Sequence, residues 1–147
     1  MKIISTIAVS LLLASVSAFA ADGWMTDLEE AFAKAKKEKK PVLVEFTGSD
    51  WCPPCIEMRK KVFSKKEFIS KASKDFILVE LDFPKGDPEL KKKNSPYAAK
   101  YKVNAFPTVV LFDDNQKEFH RFTASEFRTP KKFLAHLKSS LKRKRFE

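Results

Sequence analysis

The chain has 147 residues, 44% of them hydrophobic, with 29 Lys or Arg against 19 Asp or Glu for a formal net charge of +10. That apolar content, with 14 Phe, excludes a disordered polar chain and suffices for the core of one ordinary domain. Two cysteines are too few for a small exported domain stapled by disulfides, which ordinarily carries four or more.

Residues 1–20 read as a cleaved signal peptide. Lys2 supplies a short positive region, Ile3 to Val16 is mostly apolar, and Ala18-Phe19-Ala20 offers the small-x-small pattern for cleavage before Ala21. The apolar run is shorter than the roughly 20 residues a membrane-spanning helix needs, and no second run is long enough, so no stable membrane span is expected after cleavage. The leader holds no cysteine for a lipid anchor. Loss of Lys2 lowers the charge from +10 to +9. Export places residues 21–147 in the periplasm or outside the cell, where disulfides persist.

Residues 24–39 are predicted as an amphipathic helix, with Leu28, Ala31, Phe32 and Ala35 at helical spacing, Thr26 or Asp22 as its cap, and Pro41 ending it. Residues 42–46 form a short apolar run with one acid, Glu45, as expected of a central strand covered on both faces. A loop over 47–50 leads to a second helix opened by Pro53 and reaching about Phe63. Ser64 is the expected cap of a further helix over 65–73. A strand over 76–83, a loop over 84–88, and a helix over 89–93 that breaks near Pro96 and resumes over 97–101 follow. Strands over 108–112 and 117–122 flank a turn at 113–116. Pro130 then opens a helix over 131–141, with Phe133, Leu134, Leu137 and Leu141 on one face, and a basic tail begins at about 142. This order predicts one α/β domain with a mixed sheet.

Trp51-Cys52-Pro53-Pro54-Cys55 places both cysteines three residues apart at a helix start, where they can close into a disulfide and reopen. So small a loop contributes little to stability, which favours redox chemistry over a structural crosslink. A free cysteine ionises near pH 8.5, and a helix N-terminus favours its thiolate, so Cys52 is the candidate nucleophile. Cys55, one turn inward, is the candidate resolving thiol. Pro53 and Pro54 tune the pair: Pro54 removes an amide that would otherwise point at the Cys52 sulfur, which makes the dithiol more reducing. Capture of Cu(I) by two soft sulfurs, as in a metallochaperone, is an alternative; no Met or His sits next to the pair. A binding module without turnover is another. His120 and His136 read as ordinary surface or core histidines. No metal-ligand cluster, Gly-rich phosphate loop, or flavin or nicotinamide site is recognisable, so no cofactor is expected. The basic clusters at 34–40, 91–93 and 142–145 read as solvated helix faces, or as attraction to acidic partners or an anionic membrane. The leader argues against nucleic acid as a partner.

Two separated segments, 42–46 with the Cys52–Cys55 motif and 101–112 with Phe106-Pro107-Thr108, make the chain resemble the thioredoxin superfamily over nearly all of 22–141. The 46–52 stretch looks closer to exported bacterial thioredoxin-like proteins than to cytosolic thioredoxin. The resemblance implies a thioredoxin-like fold, with a central mixed sheet flanked by helices on both faces. It implies a cis Pro107 beside the sulfurs, with the Phe106 backbone placed to pair with an extended substrate. Glu45 falls where the family keeps a buried acid that takes the Cys55 proton through water, and Trp51 where it keeps a rim aromatic. Family members with His between the cysteines tend to be oxidants or isomerases, and this chain lacks that His. The implied activity is exported thiol–disulfide exchange with protein disulfides and dithiols, reducing or mid-range. Electrons would come from a membrane-bound redox partner, and nothing in the chain looks like an added dimerisation region, so a monomer is expected.

Overall fold

Strand β1 (Val42–Thr47) is buried at all six positions. The computed structural model describes residues 23–145; the leader, and the cap candidate Asp22, lie outside them. The sheet order is β2-β1-β3-β4. β2 (Ile77–Asp82) runs parallel to β1, β3 (Thr108–Phe112) antiparallel to it, and β4 (Glu118–Thr123) antiparallel to β3. Alternation along β1 sends its side chains to opposite faces. Val42, Val44 and Phe46 pack with Leu28, Phe32 and Ala35 of α1 (Leu28–Glu38) and with Tyr97 and Ala98 of α4 (Pro88–Lys100). Leu43 packs on the other face with Met58 of α2 (Pro53–Met58), Phe68 of α3 (Lys66–Asp75), and Phe133 and Leu137 of α5 (Pro130–Lys144). The mixed sheet with helices on both faces is thus as expected.

Several boundaries differ from expectation, each for a local reason. α1 starts at Leu28, not at 24, because the Asp27 carboxylate accepts the amides of Glu29 and Glu30; Asp27, not Thr26, is the cap. Met25 instead extends the sheet edge, bridging Val79 through Met25 N–H to Leu78 O (2.8 Å) and Glu80 N–H to Met25 O (2.9 Å). Trp24 is buried, its indole donating to Phe63 O at 3.2 Å. α2 continues as a π-helical turn (Arg59–Phe63), closed by Ser64 N–H to Arg59 O at 2.9 Å. Ser64 therefore ends that helix and does not cap α3, whose N-cap is Lys65.

α4 runs unbroken through Pro96. A proline interior to a helix removes one donor and crowds the turn before it, but here Pro96 is exposed and the helix is pinned on either side of it. Buried Asn94 donates to Asp82 O (2.7 Å), and Tyr97 and Ala98 pack on the core. α5 extends through Lys144, so the basic run begins as its last turn, not as a tail.

β4 is locked to α5 through a histidine pair. His120 Nε2 and His136 Nε2 lie 3.0 Å apart, and His136 stacks on Phe127 at 4.0 Å. Burial pushes both imidazoles below their ordinary pKa, the Arg143 charge pushes both the same way, and His120 adds to the push on His136. Below about pH 6.5 the unfolded chain therefore binds more protons at these sites than the fold does. Their contribution is complete above that pH and is lost as pH falls through the folded values. Urea denaturation at pH 7.5 and 5.5 should show a smaller acid-side loss of stability for His120→Gln than for wild type. Equal losses would remove the pair from the account.

Candidate active site

The loop from β1 into α2 is held by the loop that follows β2. Asp50 accepts the amides of Lys85 (2.9 Å) and Gly86 (2.7 Å), bonds that hold its carboxyl below the usual range. Ser49 donates its amide (2.9 Å) and its hydroxyl to the Asp82 carboxylate, and Phe83 N–H donates to Thr47 O (2.9 Å). Trp51 lies over this join: its indole donates to Phe83 O at 2.7 Å, and its ring meets Phe106 edge to face at 5.8 Å. Gly48 makes room for it, since a Cβ there would stand 2.5 Å from the indole.

The chain then enters α2 with Cys52 as N-cap and Pro53 and Pro54 in the first two helical positions. Of the three amides that follow the cap, two are absent, so the Cys55 N–H is the first donor available to the Cys52 sulfur. Cys52 and Cys55 are joined in a disulfide, with Cα atoms 5.2 Å apart. Cys55 is the more buried, as expected, but narrowly: Cys52 is 4% exposed and Cys55 1%. The surface around them is carried by Trp51, 37% exposed, and Ile56, 46% exposed. The Phe106–Pro107 peptide is cis and Pro107 is buried. The structure thus gathers Cys52, Cys55, Trp51, Phe106 and Pro107 at one end of the sheet.

Glu45 shares with Leu43 the face of β1 that packs against Met58 of α2. It is 1% exposed, and neither carboxyl oxygen has a hydrogen-bond partner; a partly exposed strand glutamate is excluded. Burial pushes its pKa well up, and the charge of Glu80 pushes further, while Arg59 opposes. Glu80 is its register partner on β2 and therefore shares its face. Arg59, at the start of the π turn, forms an ion pair with Glu80. A cleft of about 420 Å³ beside Cys55 is lined by Thr47, Arg59, Lys60, Glu80 and Asp82 among others. Sequence reasoning missed Arg59, Glu80, Asp82 and Gly48. Glu80 becomes visible only once the parallel register is known, and Arg59 only as the residue two turns after Cys52. His120 and His136 are not part of this gathering; they belong to the β4–α5 contact.

A family model described as thioredoxin-like matches residues 23–114. The thioredoxin-related protein DsbJ of Chlamydia pneumoniae is 33% identical over 129 residues, 82% of this chain and 37% of that protein. The disulfide bond reductase DsbH of the same organism is 38% identical over 95 residues, 63% of this chain and 57% of that protein. The chain thus spans between about a third and three fifths of these curated relatives. A solved structure, the DsbH oxidoreductase, superposes with a TM-score of 0.73 at 32% identity, covering 92% of this chain and 95% of that one.

The charges around Glu45 make opposite demands on it. Arg59→Met removes the opposing cation and should raise the pH at which Glu45 ionises. Glu80→Gln removes the like charge and should lower it. A carboxyl ¹³C NMR titration of Glu45 in wild type and both variants reads this directly, and shifts of the same sign would contradict it.

Proposed function

The chain belongs to the thioredoxin-like family, and from that premise we propose that it is an exported thiol–disulfide oxidoreductase acting on protein disulfides through Cys52 and Cys55. One observation carries the reading: two cysteines joined at the start of α2 under an aromatic rim, within a domain of this family. In the reduced protein the Cys52 thiolate attacks one sulfur of a substrate disulfide. A mixed disulfide forms, and the other substrate sulfur leaves as a thiolate. Cys55 then passes its proton, through water, to Glu45 in its ionised form, a carboxylate that burial makes proton-avid. The Cys55 thiolate attacks the Cys52 sulfur and expels the second substrate thiolate. Two electrons have moved to the substrate, and the protein is left with the Cys52–Cys55 disulfide.

Returning those electrons requires a dithiol donor, for which we assign a membrane-bound redox partner. The protein itself works as a monomer in the periplasm or outside the cell. Trp51 and Phe106 supply the apolar contacts for a substrate, whose extended chain lies against the Phe106–Pro107 segment. No helix among the described residues is long and apolar enough to cross a membrane.

Reduction of insulin disulfides with a dithiol donor should proceed with wild type and cease with Cys52→Ser, while Cys55→Ser should accumulate mixed disulfides on Cys52. Full cellular function in the doubly substituted protein would assign a binding role instead, and tight anaerobic Cu(I) binding by the dithiol would favour a metallochaperone.

The two prolines leave the Cys52 thiolate with few donors, which favours the disulfide over the dithiol. A glutathione titration should place the potential closer to the thioredoxin value of about −270 mV than to the strong-oxidant value of about −120 mV. A potential above roughly −150 mV would overturn this ranking.

A further inference from the structure

β1 leads from Lys40-Pro41 at one end of the sheet to the Cys52 loop at the other, so the molecule has two poles. At the pole away from the cysteines three helices finish together. The last turn of α1 carries Lys36 and Lys37, that of α3 Lys74, and that of α5 Lys142, Arg143 and Lys144. Two depressions of about 390 and 500 Å³ lie there. Lys39, Lys40, Lys74 and Lys144 surround the first, Lys138 and Lys142 the second, and Asp75, Leu141 and Arg145 line both.

Several cations elsewhere are matched: Lys61 and Arg128 with Glu57, Lys71 with Glu67, Arg121 with Glu118. At this pole Lys39, Lys74, Lys138, Lys142 and Arg145 make no ion pair among the described residues, and Asp75 is the one acid among the residues lining either depression. Three helix C-termini supply about one and a half negative charges between them, far short of the cations gathered. Crowding like charge costs self-repulsion, and neither the core nor the dithiol gains from it.

We propose that this pole is a docking surface for an anionic lipid bilayer, met with the Cys52–Cys55 end turned away from it. The cations are spread around two adjoining depressions and converge on no single point, which suits a sheet of headgroups better than one compact anion. Leu141, half-buried between them, offers an apolar contact at headgroup depth. No aromatic side chain lines either depression to stack a nucleic-acid base. Each cation held at an anionic surface is worth about five-fold in affinity.

The test uses the chain without residues 1–20, whose described fold lies wholly within 23–145, and vesicles of phosphatidylcholine with or without phosphatidylglycerol. It should sediment with the anionic vesicles, weakly with the neutral ones, and less as salt rises. Lys142→Gln, Lys144→Gln and Arg145→Gln together should weaken binding about a hundred-fold. Lys91→Gln, Lys92→Gln and Lys93→Gln, the same change in net charge placed at the start of α4, should leave it within about two-fold. Bound to vesicles, the reduced dithiol should react with a water-soluble maleimide as fast as in solution. Equal weakening by both triple variants, absence of binding to anionic vesicles, or tighter binding to a DNA duplex at equal phosphate would overturn the lipid assignment. Protection of the dithiol by vesicles would overturn the orientation.

Discussion

Backbone pairing of β1 on both of its edges is the constraint on which the site rests. With β2 on one side and β3 on the other, Val42–Thr47 has no freedom to slide, since a one-residue slip would exchange its two buried faces. That register puts Glu45 opposite Glu80 on one flank and Val109 on the other. It also ends the strand where Thr47 can accept from Phe83. The loop that follows is then tied to the end of β2 by Asp50, Ser49 and Asp82, and Asn94 ties Asp82 to α4. The sulfurs stand on a joint made by two adjacent parallel strands and braced by a helix.

Within that frame the electrostatics at the dithiol and at Glu45 differ in kind. Around Cys52 the helix start is poorer in donors than helix starts usually are, because two prolines occupy its first turn. On the face of β1 turned toward α2 an acid is held without a hydrogen bond, an arrangement that costs stability when the group is charged. The fold tolerates it by keeping the carboxyl protonated over a wider range. An unpartnered buried acid is of no evident use to the core, which is what the proposed proton-accepting role of Glu45 would explain.

Much of this was legible in the sequence. The apolar runs at 42–46 and 108–112 and the helical spacing of Leu28, Ala31, Phe32 and Ala35 reflect burial, which residue pattern reports well. The proximity of Trp51 and Cys52 to Pro107 was accessible only through resemblance, because Pro107 lies more than fifty residues further along the chain and nothing local joins them. What stayed hidden depended on competition between neighbours. Asp27 outcompeted Thr26 as a cap because its carboxylate reaches two amides. Pro96 failed to break α4 because Asn94, Tyr97 and Ala98 anchor the helix around it. The π turn at Arg59 has no residue signature, and the Arg59–Glu80 pair follows from a strand register that no single segment encodes.

The depth of the sulfurs has a consequence of its own. Cys52 is nearly as enclosed as Cys55, while Trp51 and Ile56 stand proud of it. A bond seated in the flat face of a rigid globule would be stopped by the indole before its sulfur arrived. One carried on a narrow, yielding stretch of chain could thread between the rings. For the proposed exchange, such a recess would act as a steric sieve, sorting by the shape and compliance of whatever bears the sulfur before any reactivity is expressed.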